Sequence, residues 1–429
     1  MEISILYNYF KECGKVTTDT RNCPEGSMFI ALKGETFNGN AFARQALETG
    51  CRYAVVDEAE YADAPNIFLV DNCLETLQLL AREHRRALGT PIVGITGTNG
   101  KTTTKELIAT VLQKRYKTLY TQGNLNNHIG VPLTLLNLTE EHEMAVVEMG
   151  ANHPGEIRTL VNIAEPDCGM ITNVGKAHLE GFGSFEGVVK TKSELYDYLR
   201  LKENAFIFLD KDNEVLCQAS VGLESIGYGL EGEDLYVKGK LHACAPFLSF
   251  EWEHEGVNHD VNTHLIGAYN VKNALAAIAI GCRFGVPAEA ICEALNGYIP
   301  SNNRSQLTET EDNHLIVDAY NANPTSMMAA LENFRLMEVQ NKVAVLGDMK
   351  ELGEGSLDEH RKIVSFLQTC GFERTILVGA EFGKANAGFE HYPDVEAVKA
   401  LFAENKPVGK FVLIKGSNSM KLFYLKEML

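Results

Sequence analysis

Three features are missing from this sequence of 429 residues. No apolar run approaches about 18 residues, which argues against a transmembrane helix. The ten cysteines include no Cys-x-x-Cys pair, so we expect reduced thiols rather than a zinc site or a disulfide framework. The opening stretch MEISILYNYFKECGK has no basic segment and no small-residue cleavage site, which argues against a secretion signal. Together these absences predict a cytoplasmic protein.

Positive charge is also scarce. Lysine and arginine number 39 against 57 aspartates and glutamates, the net charge is −18, and no segment is rich in lysine or arginine. This balance argues against binding to nucleic acid or to an anionic membrane surface. It does not exclude a small anionic ligand, because such a ligand responds to the charge of its own site.

The chain is too long for one ordinary core, and its composition is that of a globular protein. We predict an N-terminal α/β domain over residues 1–89, a central domain over 90–298 and a C-terminal domain over 299–429. Gly89 would cap the helix that ends the first domain. In the second and third domains apolar runs alternate with helical patterns, which predicts doubly wound, mostly parallel sheets covered by helices.

Each predicted strand is a short apolar run, and each predicted helix has apolar residues at helical spacing. In the first domain SMFIAL and YAVVDE flank the helix-like NAFARQALETG. The stretch 226–266, rich in Gly, Tyr and His, predicts a small antiparallel insertion. The central strands are PIVGIT, MAVVEM, GMITNV and AFIFLD, with helices at 102–114, 155–164, 185–199 and 270–284; the last strands are HLIVDAY, KVAVLGD, TILVGA and KFVLIKG.

The stretch GITGTNGKTTTKEL, residues 94–107, contains the Gly-Lys-Thr of a phosphate-binding loop. The usual spacing would require glycine at position 95, which is Ile95, and the nearest upstream glycine is Gly97. The loop nevertheless joins a strand to a helix N-terminus, where backbone N–H groups and Lys101 favour an anion. Thr102 supplies a hydroxyl for Mg²⁺. The alternative is a simple glycine turn between strand and helix.

Polar side chains also follow the next two central strands, at the edge where open parallel sheets bind ligands. Glu148 follows one strand, and Asn173 and His178 follow the other. A carboxylate beside a phosphate loop is a candidate Mg²⁺ ligand. Glu148 could instead cap the helix near residue 155, and a lone histidine is more often structural than a ligand.

Further candidates lie on helices and in the last domain. Lys190, Lys192 and Glu194 share one helix, for which the simple interpretation is a lysine-rich surface. Asn270 and Asn273 begin another helix. One of them could be the N-cap, and an amide side chain could also form hydrogen bonds with the edge of a nucleotide base. A second polar edge would comprise Arg304, Asp318, Asn321, Asn323, Asp348 and Glu351.

These motifs resemble the Mur ligases. GTNGKTTTKEL is similar to the variant phosphate loop of that family, G-T-x-G-K-T/S, which explains its unusual spacing. GNLNNHIGVPLTLL, VVEMGANHPGEI, TNVGKAHLEGFGS, DAYNANPTSM and LGDMKELGE resemble the branch that adds D-Ala-D-Ala. DTRNCPEGSMFIALKGETFNGNAF looks like the UDP-binding domain of the later ligases of the pathway. The similarity covers nearly the whole chain.

The resemblance implies an ATP-dependent amide ligase of cytoplasmic peptidoglycan precursor synthesis, and hence of cell-wall biogenesis. ATP would phosphorylate the terminal carboxylate of UDP-N-acetylmuramoyl-tripeptide, and the amino group of D-Ala-D-Ala would attack the acyl phosphate. We expect a monomer. The implied cofactors are ATP, two Mg²⁺ ions and a CO₂-derived carbamate on Lys192.

The resemblance also implies roles for individual residues. Lys101 would hold the β- and γ-phosphates, Thr102 and Glu148 one Mg²⁺, and His178 the second, with carbamylated Lys192 beside it. Lys190 is the competing position for the carbamate. The remaining assignments are the nucleotide loop Gly97, Thr98, Asn99, Gly100 and Thr103; Asn270 and Asn321 for adenine; Arg304 and Asp318 for phosphates and ribose; and Thr20, Arg21, Asn126, Asp348 and Glu351 for the other substrates.

Three alternatives remain at this point. The preceding ligase of the pathway adds a diamino acid, but its diaminopimelate-adding forms carry Asp-Asn-Pro-Arg, a string that this sequence lacks. A folate polyglutamate synthetase would lack the N-terminal UDP-binding segment. A nucleotide-dependent switch would need neither the His178/Lys192 pair nor a second domain with its own polar edge.

Overall fold

The computed structural model describes residues 1–244, 246–300 and 306–429. Within these ranges the strands form three separate sheets of four, nine and six strands. The predicted α/β class with mostly parallel sheets is confirmed. None of the helices in the described part of the chain is long and apolar enough to cross a membrane.

The first sheet is wholly parallel, with strand order β1-β2-β3-β4. The predicted strands SMFIAL and YAVVDE and the helix between them are confirmed, although each is shorter than its motif. The elements are α1 (Ile3–Cys13), β1 (Val16–Thr17), β2 (Met28–Ile30), α2 (Ala43–Thr49), β3 (Tyr53–Val56), β4 (Ile67–Leu69) and α3 (Cys73–Leu88).

Helix α3 shows how the local sequence sets an element. The Asn72 side chain accepts a hydrogen bond from the Glu75 N–H at the start of the helix, and Gly89 ends it in the left-handed conformation, with φ 67°. The predicted Gly89 cap is therefore confirmed. The buried face of α3 packs against the central part of the chain, where Arg85 Nη2 lies 3.0 Å from Asp167 Oδ2. The N-terminal sheet is thus joined to the central sheet through a common apolar core.

The central sheet has the strand order β13-β12-β11-β10-β9-β8-β5-β7-β6. Every neighbouring pair from β6 across to β11 is parallel. The β11-β12 and β12-β13 pairs are antiparallel. The elements are β5 (Ile92–Thr96), α4 (Lys101–Leu112), β6 (Thr118–Tyr120), α5 (Gly130–Leu135), β7 (Met144–Glu148), α6 (Glu156–Ala164), β8 (Cys168–Ile171), α7 (Leu179–Phe182), α8 (Phe185–Arg200), β9 (Phe206–Asp210), α9 (Glu214–Ala219), β10 (Glu224–Gly229), β11 (Val237–Cys244), β12 (Leu248–His254), β13 (Val257–Asn262), α10 (Asn270–Arg283) and α11 (Ala288–Gly297).

The antiparallel stretch predicted for 226–266 is therefore not a separate insertion. Its first strand, β10, pairs in parallel with β9, and the following hairpins extend the same sheet. Strands β5, β7 and β8 are buried along their whole length, as expected for parallel strands covered on both faces.

The third sheet has the order β14-β15-β19-β16-β17-β18 and is parallel except for β14. All four strands predicted in this block are confirmed. The elements are β14 (Gln306–Glu309), β15 (Asn313–Asp318), α12 (Pro324–Leu336), β16 (Lys342–Gly347), α13 (Ser356–Cys370), β17 (Arg374–Val378), α14 (Ala380–Ala385), β18 (Glu390–Tyr392), α15 (Val395–Glu404) and β19 (Lys410–Lys415).

Candidate active site

A cleft of about 910 Å³ lies where the carboxyl ends of the central strands meet the N-terminal and C-terminal parts of the chain. Helix α3 contributes Leu74 and Gln78 to its wall. Most of the residues predicted from the sequence line this cleft: Thr98, Asn99, Gly100, Lys101, Thr102, Thr103, Asn126, Glu148, Asn173, His178, Asn270, Asn273, Asp318 and Asn321.

The loop between β5 and α4 depends on its two glycines. Gly97 has φ 144°, and a Cβ atom there would lie 2.0 Å from Thr172 Oγ1. Gly100 has φ 76°, in the left-handed region that favours glycine. The backbone N–H of Thr98 donates to Asn173 O at 2.9 Å and that of Asn99 to Asn173 Oδ1 at 3.0 Å. The loop is therefore held in one shape by the strand end beside it.

Lys101 is the first residue of α4, and its ammonium group lies over the loop. Its Nζ atom donates to Gly97 O at 2.8 Å and to Thr98 O at 3.0 Å. The side chain lines the cleft. A positive charge is therefore placed where the N-terminus of α4 already favours an anion.

Glu148 ends β7 as a buried carboxylate, with 1% of the residue exposed. Thr102 Oγ1 donates to its two oxygens at 3.0 and 3.2 Å, and Asn126 Nδ2 donates to Oε1 at 2.8 Å. Both donors are neutral, so they orient the carboxylate without cancelling its charge. A hydroxyl and a carboxylate together are the hard oxygen donors that suit Mg²⁺. The donor set therefore fits the metal that the sequence predicts.

His178 directly precedes α7 and reaches the cleft from the other side. Its Nδ1 atom contacts the Glu351 carboxylate of the C-terminal part of the chain. Burial lowers the pKa of His178 from its ordinary value, although the Glu351 charge acts in the opposite direction. The imidazole is therefore neutral at neutral pH, which is the form that binds metals.

Lys192 points inward from α8, whereas Lys190 on the same helix is exposed. The Lys192 Nζ atom donates to Ala151 O at 3.1 Å and lies 5.2 Å from the centre of the Phe182 ring. Burial, reinforced by the charge of Lys101, holds the pKa of Lys192 well below its ordinary value. Lys190 therefore belongs to a lysine-rich surface, whereas Lys192 is buried in an environment that favours the neutral amine.

Asn270 and Asn273 are connected to the first turn of α4 by a chain of hydrogen bonds. Thr104 Oγ1 donates to Asn273 Oδ1 at 3.0 Å, and Asn273 Nδ2 donates to Asn270 Oδ1 at 2.7 Å. Asn270 Nδ2 donates to Ile266 O at 2.8 Å. The N-cap position of α10 is Tyr269, and neither asparagine side chain caps the helix. The N-cap interpretation of these residues is therefore wrong.

The C-terminal wall of the cleft contains an ion pair that was not predicted from the sequence. Lys415 Nζ lies 2.5 Å from Asp318 Oδ2, because the two residues are register partners at the ends of β19 and β15. Asn323 caps α12 and also donates from Nδ2 to Asn99 Oδ1 of the phosphate loop at 2.7 Å. Other lining residues that were not predicted include Asp210, Tyr269, Lys272 and Tyr320.

Some predicted residues lie elsewhere. Predicted residues that the structure describes but that do not line the cleft include Thr20, Arg21, Gly97, Lys192, Asn323, Asp348 and Glu351. Arg21 is exposed and pairs with Asp19, and Asp348 is fully buried, where it accepts hydrogen bonds from the first N–H groups of α14. Arg304 lies outside the described residues.

Comparisons with known proteins agree with this geometry. Residues 13–85 match the description "Mur ligase family, catalytic domain", residues 95–281 match "Mur ligase middle domain", and residues 303–418 match "Mur ligase, glutamate ligase domain". The UDP-N-acetylmuramoyl-tripeptide–D-alanyl-D-alanine ligase of Bacillus subtilis is 36% identical over 420 residues, covering 95% of this chain and 91% of the relative. The chain belongs to the Mur ligase family.

Solved structures of Mur ligases have the same fold over nearly the whole chain. MurF from Acinetobacter baumannii is similar with a TM-score of 0.88 and 29% identity, covering 99% of this chain and 97% of that one. MurF from Thermotoga maritima, solved in complex with ADP, is similar with a TM-score of 0.86 and 28% identity, covering 96% of each chain. The resemblance expected from the phosphate loop and its neighbouring motifs is thus confirmed.

Proposed function

We propose that this Mur ligase joins D-Ala-D-Ala to UDP-N-acetylmuramoyl-tripeptide at the expense of ATP, in cytoplasmic peptidoglycan precursor synthesis. The observation that carries the proposal is a single cleft running from the phosphate loop at Lys101 to helix α3 at Leu74 and Gln78. A nucleotide at one end and a UDP-linked peptide at the other would meet near Glu148. The names of the similar ligases support the same substrates. We assign residues 1–89, 90–298 and 299–429 to the three domains.

The residues around the loop are suited to hold ATP and Mg²⁺. Lys101 and the N–H groups at the start of α4 would bind the phosphates. Thr102 and Glu148 would hold one Mg²⁺, and His178 the second. Mg²⁺, when bound, would neutralise the phosphate charge and polarise the γ-phosphoryl group. Asn270, Asp318 and Asn321, the nucleoside assignments among the described residues, line the same cleft.

The proposed reaction needs positioning more than it needs acid–base groups. A terminal carboxylate oxygen of the peptide would attack the γ-phosphorus, and ADP would leave. The amino group of D-Ala-D-Ala would then attack the acyl carbon, lose a proton and expel phosphate, which leaves an amide. Lys101 would stabilise charge on the transferred group, and closure of the cleft would exclude water from the acyl phosphate.

We further propose that Lys192 carries a carbamate. Burial favours the neutral amine, which is the nucleophilic form that would attack CO₂, creating an N–C bond and releasing one proton to solvent. The reaction replaces an amine that could become a cation with a carbamate anion near His178. Carbamate oxygens are the kind of ligand that Mg²⁺ prefers.

Phosphate release with and without each acceptor tests the ligase assignment. We expect release to require both UDP-N-acetylmuramoyl-tripeptide and D-Ala-D-Ala. Tripeptides ending in diaminopimelate and in lysine, assayed side by side, would identify the third residue. Release with the UDP-dipeptide and a free diamino acid would instead indicate the preceding ligase. Release without any acceptor would favour a nucleotide switch.

Replacing Glu148 or His178 with alanine should raise the Mg²⁺ concentration needed for half-maximal activity by roughly tenfold or more, because each change removes a metal ligand. Titration of phosphate release with Mg²⁺ measures the shift. Lys190→Ala is the matched control, since Lys190 is exposed on a neighbouring helix. A titration that superimposes on the unmodified protein would assign Glu148 or His178 to structure instead.

The residues assigned to the nucleotide belong to two different domains, which predicts that the two domains close on the nucleotide. Lys101 and Asn270 belong to the central domain, whereas Asp318 and Asn321 belong to the C-terminal one. Small-angle X-ray scattering should therefore show a smaller radius of gyration when an ATP analogue and both substrates are added. Scattering curves that do not change on addition of the ligands would contradict closure.

A further inference from the structure

One contact joins the proposed metal site to a different domain. His178 lies at the start of α7 in the central domain, and its Nδ1 atom contacts the Glu351 carboxylate in the loop after β16. His178 lines the cleft, whereas Glu351 does not. The imidazole is therefore held at Nδ1 by a residue that is not part of the cleft lining, which leaves Nε2 as the nitrogen that a ligand could reach.

The backbone conformations of His178 and Glu351 are consistent with this contact. His178 and Glu351 both adopt left-handed conformations, with φ 50° and 62°, which are unfavourable for residues other than glycine. The Glu180 N–H also donates to Glu351 O at 3.4 Å. Strain of this kind persists where surrounding structure enforces it, and it concentrates at functional sites. Here the two strained residues are the two that meet.

We propose that Glu351 is a positioning residue for His178, an inference that rests on the proposed role of His178 as a metal ligand. The carboxylate would accept the Nδ1 hydrogen, which fixes the tautomer and directs the Nε2 lone pair toward the cleft. Carboxylates behind ligating histidines commonly act in this way. Because Glu351 belongs to the C-terminal domain, the metal site is complete only when that domain is packed against the central domain.

A neighbouring ion pair provides a matched control. Lys176 Nζ lies 3.1 Å from Glu359 Oε1, across the same domain boundary and close in sequence to His178. Neither Lys176 nor Glu359 lines the cleft. A substitution at Glu359 therefore weakens the seating of the domain without touching the proposed ligand.

Binding of Mn²⁺, followed by electron paramagnetic resonance with a non-hydrolysable ATP analogue, tests the proposal without turnover. Glu351→Gln and Glu351→Ala should weaken Mn²⁺ binding about 10- to 100-fold. Glu359→Gln should change it by about twofold or less, because Lys176 in that pair is half-exposed and neither residue contacts His178. The Glu351 side chain is 54% exposed, so these variants should fold, and thermal unfolding verifies that they do.

The double variant separates positioning from a general effect on the interface. In a His178→Ala background, Glu351→Ala should cause no further loss of Mn²⁺ affinity, because the group it orients is gone. Additive losses, or equal effects of the Glu351 and Glu359 variants, would overturn the positioning role. If His178→Ala weakens binding but Glu351→Gln does not, this inference alone fails. If His178→Ala has no effect, the proposed ligand role of His178 fails with it.

Discussion

Replacing Lys101 with alanine should lower the rate of ligation by about a hundredfold or more while leaving the binding of the UDP-linked peptide nearly unchanged. Removal of a single preorganised donor to a transition-state anion commonly has an effect of about this size. Lys101 is such a donor, because its ammonium lies over the phosphate loop at the N-terminus of α4. The segment that resembles a UDP-binding domain belongs to another sheet, so its affinity for the peptide should not depend on Lys101.

Two measurements test this prediction together. Phosphate release reports the chemical step, and calorimetric titration with UDP-N-acetylmuramoyl-tripeptide reports binding. Lys190→Ala is the control, since it removes a lysine from an exposed position of the same domain. If the Lys101→Ala variant kept more than roughly a tenth of the original turnover, Lys101 would not be a donor to the transition-state anion.

Much of the site could be predicted from the sequence because of one physical regularity. Buried parallel strands are continuous apolar runs, and their carboxyl ends meet at one edge of the sheet. Glu148 and His178 each follow such a run, so their positions in the sequence alone place them near the loop. The same rule applies to Lys415, which ends the apolar run KFVLIKG, although Lys415 was not among the predicted site residues.

Other features depend on contacts between distant parts of the chain. Strands β1, β4 and β6 have only two or three residues, too few for a periodic pattern, and they exist because neighbouring strands pair with them. The contact of Glu351 with His178 joins residues 173 positions apart in different domains. No local pattern marks such a pair. It follows from how the two domains pack together.

The helix register favours Lys192 over Lys190, and packing explains why Lys192 is the buried lysine. The two lysines are two positions apart on α8, so they face different directions and only one can be buried. Packing against Phe182 and the loop at Ala151 decides that it is Lys192. This burial makes a specific prediction about the chemistry of that lysine.

Replacing Lys192 with alanine should remove most of the activity, and a small carboxylate such as acetate should restore part of it. The buried amine has a pKa well below that of an ordinary lysine, which is about 10.4. This shift favours the neutral amine, which is the form that reacts with CO₂. As the pH falls below its depressed pKa, the amine becomes protonated, the carbamate is lost and activity should decline.

Four assays distinguish this chemistry from a structural role for the lysine. Removal of dissolved CO₂ should lower the activity of the unmodified protein, and bicarbonate should restore it. Lys190→Ala should have a small effect under all conditions. Acetate should raise the activity of Lys192→Ala, because a carboxylate in the vacated space supplies the oxygen ligands that the carbamate would provide. If Lys190→Ala and Lys192→Ala behave alike, or if folded Lys192→Ala is inactive and unresponsive to acetate, Lys192 does not act through a carbamate.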